Sequence, residues 1–174
     1  MNCQGGCAGA SGLLVRWPGV TKPGSTSDRF ALNIDFAPTL LAAAGLQVPA
    51  DMQGKSLAGI LRSEPPADWR TSFYYRYYHD PGDHNTPAHY GLRTQTHKLI
   101  YYWKQDAWEL FDLRADPDEL ANLASSPAHR ATFELLRAEL QRAKQAVGDD
   151  DLFANEQPAH GVDGPFEKKR ATQR

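Results

Sequence analysis

The segment YHDPGDHNTPAHYG contains three histidines at intervals of five residues, His79, His84 and His89. Asp80 and Asp83 lie between them, and side chains of these types bind metal ions when a fold brings them together. The spacing places the histidines on no common helix face, and prolines interrupt the segment, so we predict no metal site here. Two interpretations remain: a solvent-exposed loop, or a loop that contacts a ligand.

Arg93 lies four residues after His89, and side chains at this spacing share one face of a β-strand. Its guanidinium can pair with an anionic ligand or form an ion pair within the fold, and the sequence leaves both alternatives open. The acidic residues at positions 112–119 lack the glycine-punctuated loop of an EF-hand. We predict that they form turns and helix starts rather than a calcium site.

Cys3 and Cys7 form no wider disulfide framework, and a four-ligand zinc site would need partners from elsewhere in the chain. We predict no functional role for either cysteine. The aromatic segment 72–78 could offer tyrosine rings that stack on a sugar. Packing in a core or an interface is the more common use of such rings, and we favour it here.

The chain has 174 residues, of which 41% are hydrophobic and 23% charged, enough for one modest domain or for a subdomain with tails. Its formal net charge of −2 gives no basic footprint for nucleic acid and no polybasic membrane anchor. No apolar run reaches the roughly 18 residues of a membrane span. The N-terminus lacks the basic start and apolar core of a signal peptide, and the cellular compartment stays open.

Several elements must position these side chains, and the first of them are short. The run Leu13–Val15 predicts a buried strand that ends at a Pro-Gly turn. Residues 33–45 predict an almost uncharged helix that Asn33 or Asp35 caps and Gly45 ends, and residues 56–62 predict a second, shorter helix.

The second half of the chain predicts an antiparallel sheet and a long helix. Four strands joined by short turns are expected at 72–78, 89–94, 97–103 and 107–113. A helix at 127–147 carries apolar residues every three or four positions and should cover one face of the sheet. The whole chain then divides into a flexible lead-in, a strand–helix segment, a sheet-plus-helix subdomain and a tail, at residues 1–12, 13–70, 71–147 and 148–174.

Alternation along the strands makes both faces of the predicted sheet largely apolar. Ile100 and Tyr102 lie on one face, and Leu99 and Tyr101 lie on the other. Because one helix covers only one face, we expect the second face and the apolar helix at 33–45 to dock on a further domain or to promote self-association.

Four stretches resemble the sulfatase family of the alkaline-phosphatase superfamily, in the family's order and at about its spacing. They are LLVRWPGVTKPG, NIDFAPTLLAAAGLQVPADMQGKSLAGIL, HYGLRTQTHKLIYY and WELFDLRADPDELANLA. The HYGLRT and KLIYY pieces are most similar to sulfatases of sulfated sugars, including those of the N-acetylglucosamine-6-sulfatase type. The resemblance implies an α/β protein in which residues 13–70 supply the last strand and helix of an alkaline-phosphatase-like domain. It also implies that the chain is the C-terminal part of a sulfuric ester hydrolase.

A sulfatase of this family carries a cysteine or serine in a C/S-x-P/A-x-R motif that is oxidised to formylglycine, and it binds calcium. Neither Cys3 nor Cys7 begins such a motif, and the family's metal-binding aspartates precede the matched stretches. We therefore expect no catalytic residue, metal ligand or cofactor in this chain and no turnover by the chain alone. Formylglycine and calcium are expected in the complete enzyme, whose N-terminal sulfatase domain is the implied partner.

The resemblance also implies that the segment around the later histidines closes one side of a pocket for sulfated carbohydrate. His89, Arg93 and His84 are then the candidate substrate-binding residues. Two other functions stay open: a non-catalytic carbohydrate-binding module, and a fragment of a related phosphodiesterase or phosphonate hydrolase. Members of the family are commonly periplasmic, secreted or lysosomal.

Overall fold

The computed structural model describes residues 12–80, 85–152 and 154. They fall into two compact units, which we call the helical unit (residues 12–71) and the sheet unit (residues 72–80, 85–152 and 154). Among the helices of the described part, none is long and apolar enough to cross a membrane.

The helical unit contains two short helices. α1 spans Phe36–Ala43 and follows a single 3-10 turn at Asn33–Asp35, and α2 spans Ala58–Leu61. Pro38 lies in the first turn of α1, where its missing N–H removes no helical hydrogen bond. Gly45 follows the helix with a φ of 70°, the left-handed conformation that ends many helices. Both predicted helices are confirmed, the second at about half its predicted length.

The strand predicted at Leu13–Val15 is not formed. These residues have no regular secondary structure, and the sheet found in the described part of the chain consists of four other strands. A strand is stable only when a neighbour pairs with its backbone N–H and C=O groups, and no described segment does so here. Leu14 is 96% exposed, so this apolar run lies on the surface of the chain.

A buried carboxylate joins the ends of the helical unit. Asp35 accepts hydrogen bonds from the backbone N–H groups of Leu32 and Lys55, at 2.8 and 2.9 Å. Arg70 contacts both of its oxygens, with Nη2 at 2.8 Å from Oδ1. Burial alone would raise the pKa of Asp35, but the hydrogen bonds and the charge of Arg70 outweigh it and lower the pKa below its usual value.

The sheet unit is an antiparallel sheet in which each strand pairs with the next one along the chain. The strands are β1 (Ser72–Tyr77), β2 (His89–Thr94), β3 (His97–Tyr102) and β4 (Ala107–Asp112). α3 spans Arg130–Ala146 after a 3-10 turn at Pro127–His129. The predicted order of strands and the long helix are confirmed.

α3 packs against one face of the sheet and forms the main core there. Leu136 and Leu140 of α3 are buried against Tyr90, Leu92, Leu99 and Leu110 of the strands. Phe133 and Ala143 extend the same stripe, whereas Val147, just after the helix, is exposed. The predicted apolar stripe of the helix is thus confirmed up to its last position.

We call the opposite side of the sheet the polar-aromatic face. Its positions, from β1 to β4, are Phe73, Tyr75, Tyr77, His89, Gly91, Arg93, Lys98, Ile100, Tyr102, Ala107, Glu109 and Phe111. The expectation that this face needs a cover from a further domain or a second copy is wrong for its central residues, because Ile100 is only 1% exposed and Tyr102 and Phe111 are buried within the chain. Ring side chains of the face itself account for part of this burial, since Tyr75 and Tyr102 both contact the imidazole of His89.

The residues that follow α3 bind to the sheet. Arg76 Nη1 of β1 lies 2.6 and 2.7 Å from the two carboxylate oxygens of Asp149, and the hydroxyl of Tyr74 also donates to that carboxylate. Lys144 Nζ lies 2.5 Å from Oδ2 of Asp151. These ion pairs connect the chain after α3 to both β1 and the last turn of the helix.

Candidate functional site

His89 and Arg93 lie at opposite ends of β2 and both belong to the polar-aromatic face, as their spacing predicts. At about 3.3 Å per residue, their Cα atoms are about 13 Å apart. The two side chains therefore project from well-separated points of this face. The third candidate, His84, lies outside the described residues.

His89 is only 4% exposed, and its Nδ1–H donates a hydrogen bond of 2.8 Å to the carbonyl oxygen of Pro87. The ring stacks on Tyr77 at 5.7 Å between centroids and meets Tyr102 at 5.5 Å. Burial lowers the pKa of His89, the contact with Pro87 opposes this, and the charge of Lys98 lowers the pKa further. The imidazole is therefore neutral at pH 7, and in this tautomer its Nε2 is a hydrogen-bond acceptor.

Gly91 separates these two residues on the strand and leaves room for the ring of Tyr75. Tyr75 lies directly opposite Gly91 across the β1–β2 ladder. A Cβ atom at position 91 would lie 2.6 Å from the hydroxyl oxygen of Tyr75 and 2.5 Å from the backbone oxygen of Leu99. Burial raises the pKa of Tyr75, so its hydroxyl stays protonated and can donate a hydrogen bond.

Arg93 shares the carboxylate of Glu119 with a second cation. Lys98 Nζ lies 2.5 Å from Oε2 of Glu119, whereas Arg93 Nη1 lies 3.8 Å from Oε1. The second distance is too long for a hydrogen bond. The sequence left Arg93 open between an ion pair and an anion-binding role, and in this geometry its ion pair is the weaker of the two.

A second carboxylate of the face, that of Glu109, accepts a 2.9 Å hydrogen bond from the hydroxyl of Tyr102. Burial and this contact raise the pKa of Tyr102. The two cations of the face, Arg93 and Lys98, balance the charges of Glu109 and of Glu119. The hydroxyl of Tyr75 is buried and that of Tyr102 already donates to Glu109, so the guanidinium of Arg93 is the cation of this face that is more open to an anionic ligand.

The other residues that the sequence singled out have structural partners. Asp112 accepts backbone hydrogen bonds from Arg114 and Ala115, at 3.0 and 3.2 Å, and the carbonyl oxygen of Asp116 accepts one from the N–H of Glu119 at 3.1 Å. The prediction that these acidic residues form turns is confirmed. Within residues 12–80, 85–152 and 154, no group of three or more His, Cys, Asp or Glu side chains could hold a metal ion. Both cysteines lie outside the described residues.

Sequence reasoning missed Lys98, although the pattern contains a signal for it. In the strand HKLIYY, alternation puts Lys98 on the same side as Ile100 and Tyr102. A lysine at an otherwise apolar, inward position needs a buried anionic partner, which is a reason to search for a carboxylate nearby. That carboxylate is the one of Glu119, which lies 21 positions further along the chain.

The profile of one protein family matches residues 10–146 of this chain: N-sulphoglucosamine sulphohydrolase, C-terminal. Among curated proteins, the N-acetylglucosamine-6-O-sulfatase of Bacteroides thetaiotaomicron is 42% identical over 142 residues, which are 80% of this chain and 25% of that protein. The chain thus spans about a quarter of the length of the curated relatives that it matches.

Two solved structures extend this comparison. A protein in complex with its substrate D-glucosamine-2-N,6-O-disulfate is 40% identical, with a TM-score of 0.75, over 82% of this chain and 29% of that one. The phosphonate monoester hydrolase of Silicibacter pomeroyi is 28% identical, with a TM-score of 0.66, over 79% of this chain and 29% of that one.

Proposed function

Because this chain belongs to the family of N-sulphoglucosamine sulphohydrolase C-terminal domains, we propose that it forms one wall of the substrate pocket of a sulfatase that acts on sulfated sugars. The observation that supports this most is the polar-aromatic face, where a strand of the matched region carries both His89 and Arg93. The similarity to a protein that binds a sulfated glucosamine supports the same substrate class.

Each side chain of this face suits a different part of the sugar. The neutral imidazole of His89 accepts a hydrogen bond from a sugar hydroxyl through Nε2, while Pro87 fixes its orientation. Arg93 pairs with an anionic substituent at the other end of the sugar, because a guanidinium matches the oxygens of a sulfate or a carboxylate. We keep His84 as a third substrate-binding residue on the sequence argument alone.

The sulfate-transfer chemistry belongs to residues outside this chain. Sulfatases generally use formylglycine and a metal ion, which supply a strong nucleophile and positive charge for the sulfate oxygens. The described residues hold no suitable group of metal ligands, and neither Cys3 nor Cys7 begins an oxidation motif. The residues present here therefore do not fit either group, and their part is to bind and orient the sugar.

The exposed apolar side chains of the helical unit suit docking on an N-terminal sulfatase domain. Leu14 is 96% exposed and Leu40 of α1 is 69% exposed, and Phe36 and Leu46 are also exposed. Large apolar side chains that gather on a surface mark interaction sites in soluble proteins. The relatives are about four times as long as the matched region, so the proposed partner is the remainder of such a sulfatase.

A hybrid enzyme tests the proposal. The N-terminal three quarters of the Bacteroides relative would be joined to this chain, and release of the 6-O-sulfate from glucosamine-2-N,6-O-disulfate, which keeps a second anionic group, would be measured. We expect Arg93→Ala to raise KM by about 10-fold or more with little change in kcat, because it removes a charged hydrogen bond to the bound sugar. Lys104→Ala, which breaks the 3.2 Å pair with Asp80, is the matched control and should leave KM unchanged.

Two results would contradict the proposal. One is a hybrid that hydrolyses a phosphonate monoester faster than the sulfate ester, which would favour the function of the second solved relative. The other is an Arg93→Ala variant whose kinetics equal those of the Lys104 control. His89→Ala should also weaken binding, and His89→Gln, which keeps an acceptor, should weaken it less. Thermal melting of each variant separates loss of binding from loss of folding.

A further inference from the structure

Glu119 has two cationic partners at unequal distances. Its Oε2 lies 2.5 Å from Lys98 Nζ, and its Oε1 lies 3.8 Å from Arg93 Nη1. The first contact is a charge-assisted hydrogen bond, and the second is an electrostatic attraction without one. A single carboxylate therefore faces two cations, and these three groups carry one excess positive charge, while the other carboxylate of the face, Glu109, accepts a hydrogen bond from Tyr102.

Burial decides where the excess charge lies. The Lys98 side chain is 1% exposed, so water does not solvate its ammonium. Without an anionic partner this buried charge would cost much free energy of folding. The Arg93 side chain is 18% exposed and is the more accessible of the two cations. Glu119 lies in a turn in which its N–H donates to the carbonyl oxygen of Asp116 at 3.1 Å. The carboxylate thus binds Lys98, and the available cation is Arg93.

We propose that Lys98 is a positioning residue for substrate selection. By binding Glu119, it keeps the guanidinium of Arg93 free to take a second anionic substituent of the sugar. This substituent is a sulfate or carboxylate remote from the ester that is cleaved. The inference rests on the proposed function, since it concerns the same face of the sheet, and it adds a preference for a doubly anionic substrate.

The balance of charges gives the physical reason. If Lys98 were uncharged, Glu119 would be an unpaired, half-buried carboxylate next to Arg93. Arg93 could then move from 3.8 Å to hydrogen-bond distance of Glu119, which would give both side chains a partner. To bind an anion, the guanidinium of Arg93 would first have to break this contact with Glu119. Lys98 and Glu119 therefore act on the sugar through Arg93 and need no contact with it.

The test is a binding titration of the full 174-residue chain, followed through the Nε–H resonance of Arg93. The probes are glucosamine-2-N,6-O-disulfate and glucosamine-6-O-sulfate. We expect the chain to prefer the disulfate by about 10-fold or more, the gain from one charged hydrogen-bonded contact. Lys98→Met should reduce this preference to about twofold or less.

Rescue distinguishes positioning from a general structural role. The double variant Lys98→Met/Glu119→Gln removes both charges and should restore the preference for the disulfate, and Lys98→Arg should retain it. Lys104→Met removes a lysine outside this cluster and should change nothing. A preference that survives Lys98→Met, or that fails to return in the double variant while the melting temperature does return, would overturn the inference.

A second measurement needs no sugar. The coupling between Arg93 and Glu119 can be measured as a shift of melting temperature in a double-mutant cycle. We expect this coupling to be at least threefold larger in the Lys98→Met background than in the wild type, and equal couplings would contradict the positioning role. If neither sugar binds but the coupling rises as expected, the proposed function fails while the arrangement of charges holds. If the sugars bind but the coupling is unchanged, only the inference about Lys98 fails.

Discussion

Asp35→Asn should destabilise the helical unit more than any substitution of a surface charge in it. The Asp35 carboxylate is fully buried and balances the charge of Arg70, whose side chain is 13% exposed. Removing one partner of a buried ion pair costs about 3–5 kcal/mol, because the other charge stays buried without compensation. The small exposure of Arg70 lets water reach it in part, so we expect a loss near the lower limit, about 3 kcal/mol.

The amide of the Asp35→Asn variant can keep only some of the hydrogen bonds that the Asp35 carboxylate accepts. Asparagine keeps one carbonyl oxygen, which can accept from only one of the two backbone N–H groups that Asp35 now binds, those of Leu32 and Lys55. The other N–H loses its partner, which by itself costs about 1–3 kcal/mol. Adding Arg70→Met removes the uncompensated charge but not this orphaned N–H. The double variant should therefore recover part of the loss but not all of it.

Guanidinium chloride unfolding measures these losses, and hydrogen exchange locates them. The backbone amides of Leu32 and Lys55 should exchange faster in Asp35→Asn, while the amides of β3 should not change. Asp68→Asn is the control, because it breaks an exposed pair with Lys55 in which Asp68 is 80% exposed. The reasoning is refuted if Asp35→Asn is as stable as this control, or if adding Arg70→Met recovers nothing.

Three further predictions concern the sheet unit and the exposed surface of the helical unit. Burial would raise the pKa of Asp149, but hydrogen bonds from Arg76 and Tyr74 lower it to about 2. The contribution of Asp149 to stability is therefore complete above about pH 4 and is lost as the pH falls towards 2. In Asp149→Asn, stability should depend less on pH over this range, as measured by an acid titration followed by circular dichroism. Gly91→Ala should lower the free energy of unfolding by about 1–3 kcal/mol, because the new methyl group would lie 2.5 Å from a backbone oxygen. An unchanged melting curve would contradict this. Leu40→Asp should reduce binding of a hydrophobic dye and self-association without lowering the melting temperature, since this side chain is 69% exposed. If Leu40→Asp and the wild type bound equal amounts of dye, α1 would not belong to the apolar surface that binds the dye.

The sheet and α3 could be predicted because their signals are local. Alternation of side chains, turn residues at positions 95–96 and 104–106, and an apolar stripe on the last helix are all readable within short windows. β2, β3 and β4 are joined by such short turns and can pair only antiparallel, whereas positions 78–88 separate β1 from β2, so turn length does not fix the place of β1.

The strand expected at Leu13–Val15 could not be predicted correctly, because a strand depends on a partner that the local sequence does not reveal. The same limit applies to Asp35, which the sequence suggests as a helix cap. Its carboxylate does bind the N–H of Leu32, but its main partner is Arg70, 35 positions away. Burial of a charge depends on such long-range contacts, and a short window contains none of them.

The sequence predicted which residues of the candidate site share a face of the sheet, but it did not predict the ion pairs that they form. Spacing alone puts His89 and Arg93 on one side of β2. The distances that distinguish a strong ion pair from a weak one depend on a turn more than twenty residues later, where Glu119 meets both Lys98 and Arg93. The sequence therefore left the role of Arg93 open. The structure shows that Glu119 lies closer to Lys98 than to Arg93, and this difference supports the anion-binding role that we propose for Arg93.

β2 contributes alternately to both faces of the sheet, which makes stability and binding separable within one strand. Leu92 points into the core under α3 and is fully buried, so shortening it should lower stability with no direct effect on a ligand. Arg93, the next residue, lies on the polar-aromatic face and is partly exposed, so shortening it should affect binding more than folding. His89 is the exception, because it is buried and hydrogen-bonded within the fold as well as being a candidate ligand contact. A loss of activity in a His89 variant can therefore be interpreted only together with its melting temperature. Leu92 variants provide the reference for a loss of stability, and Arg93 variants provide the reference for a loss of binding.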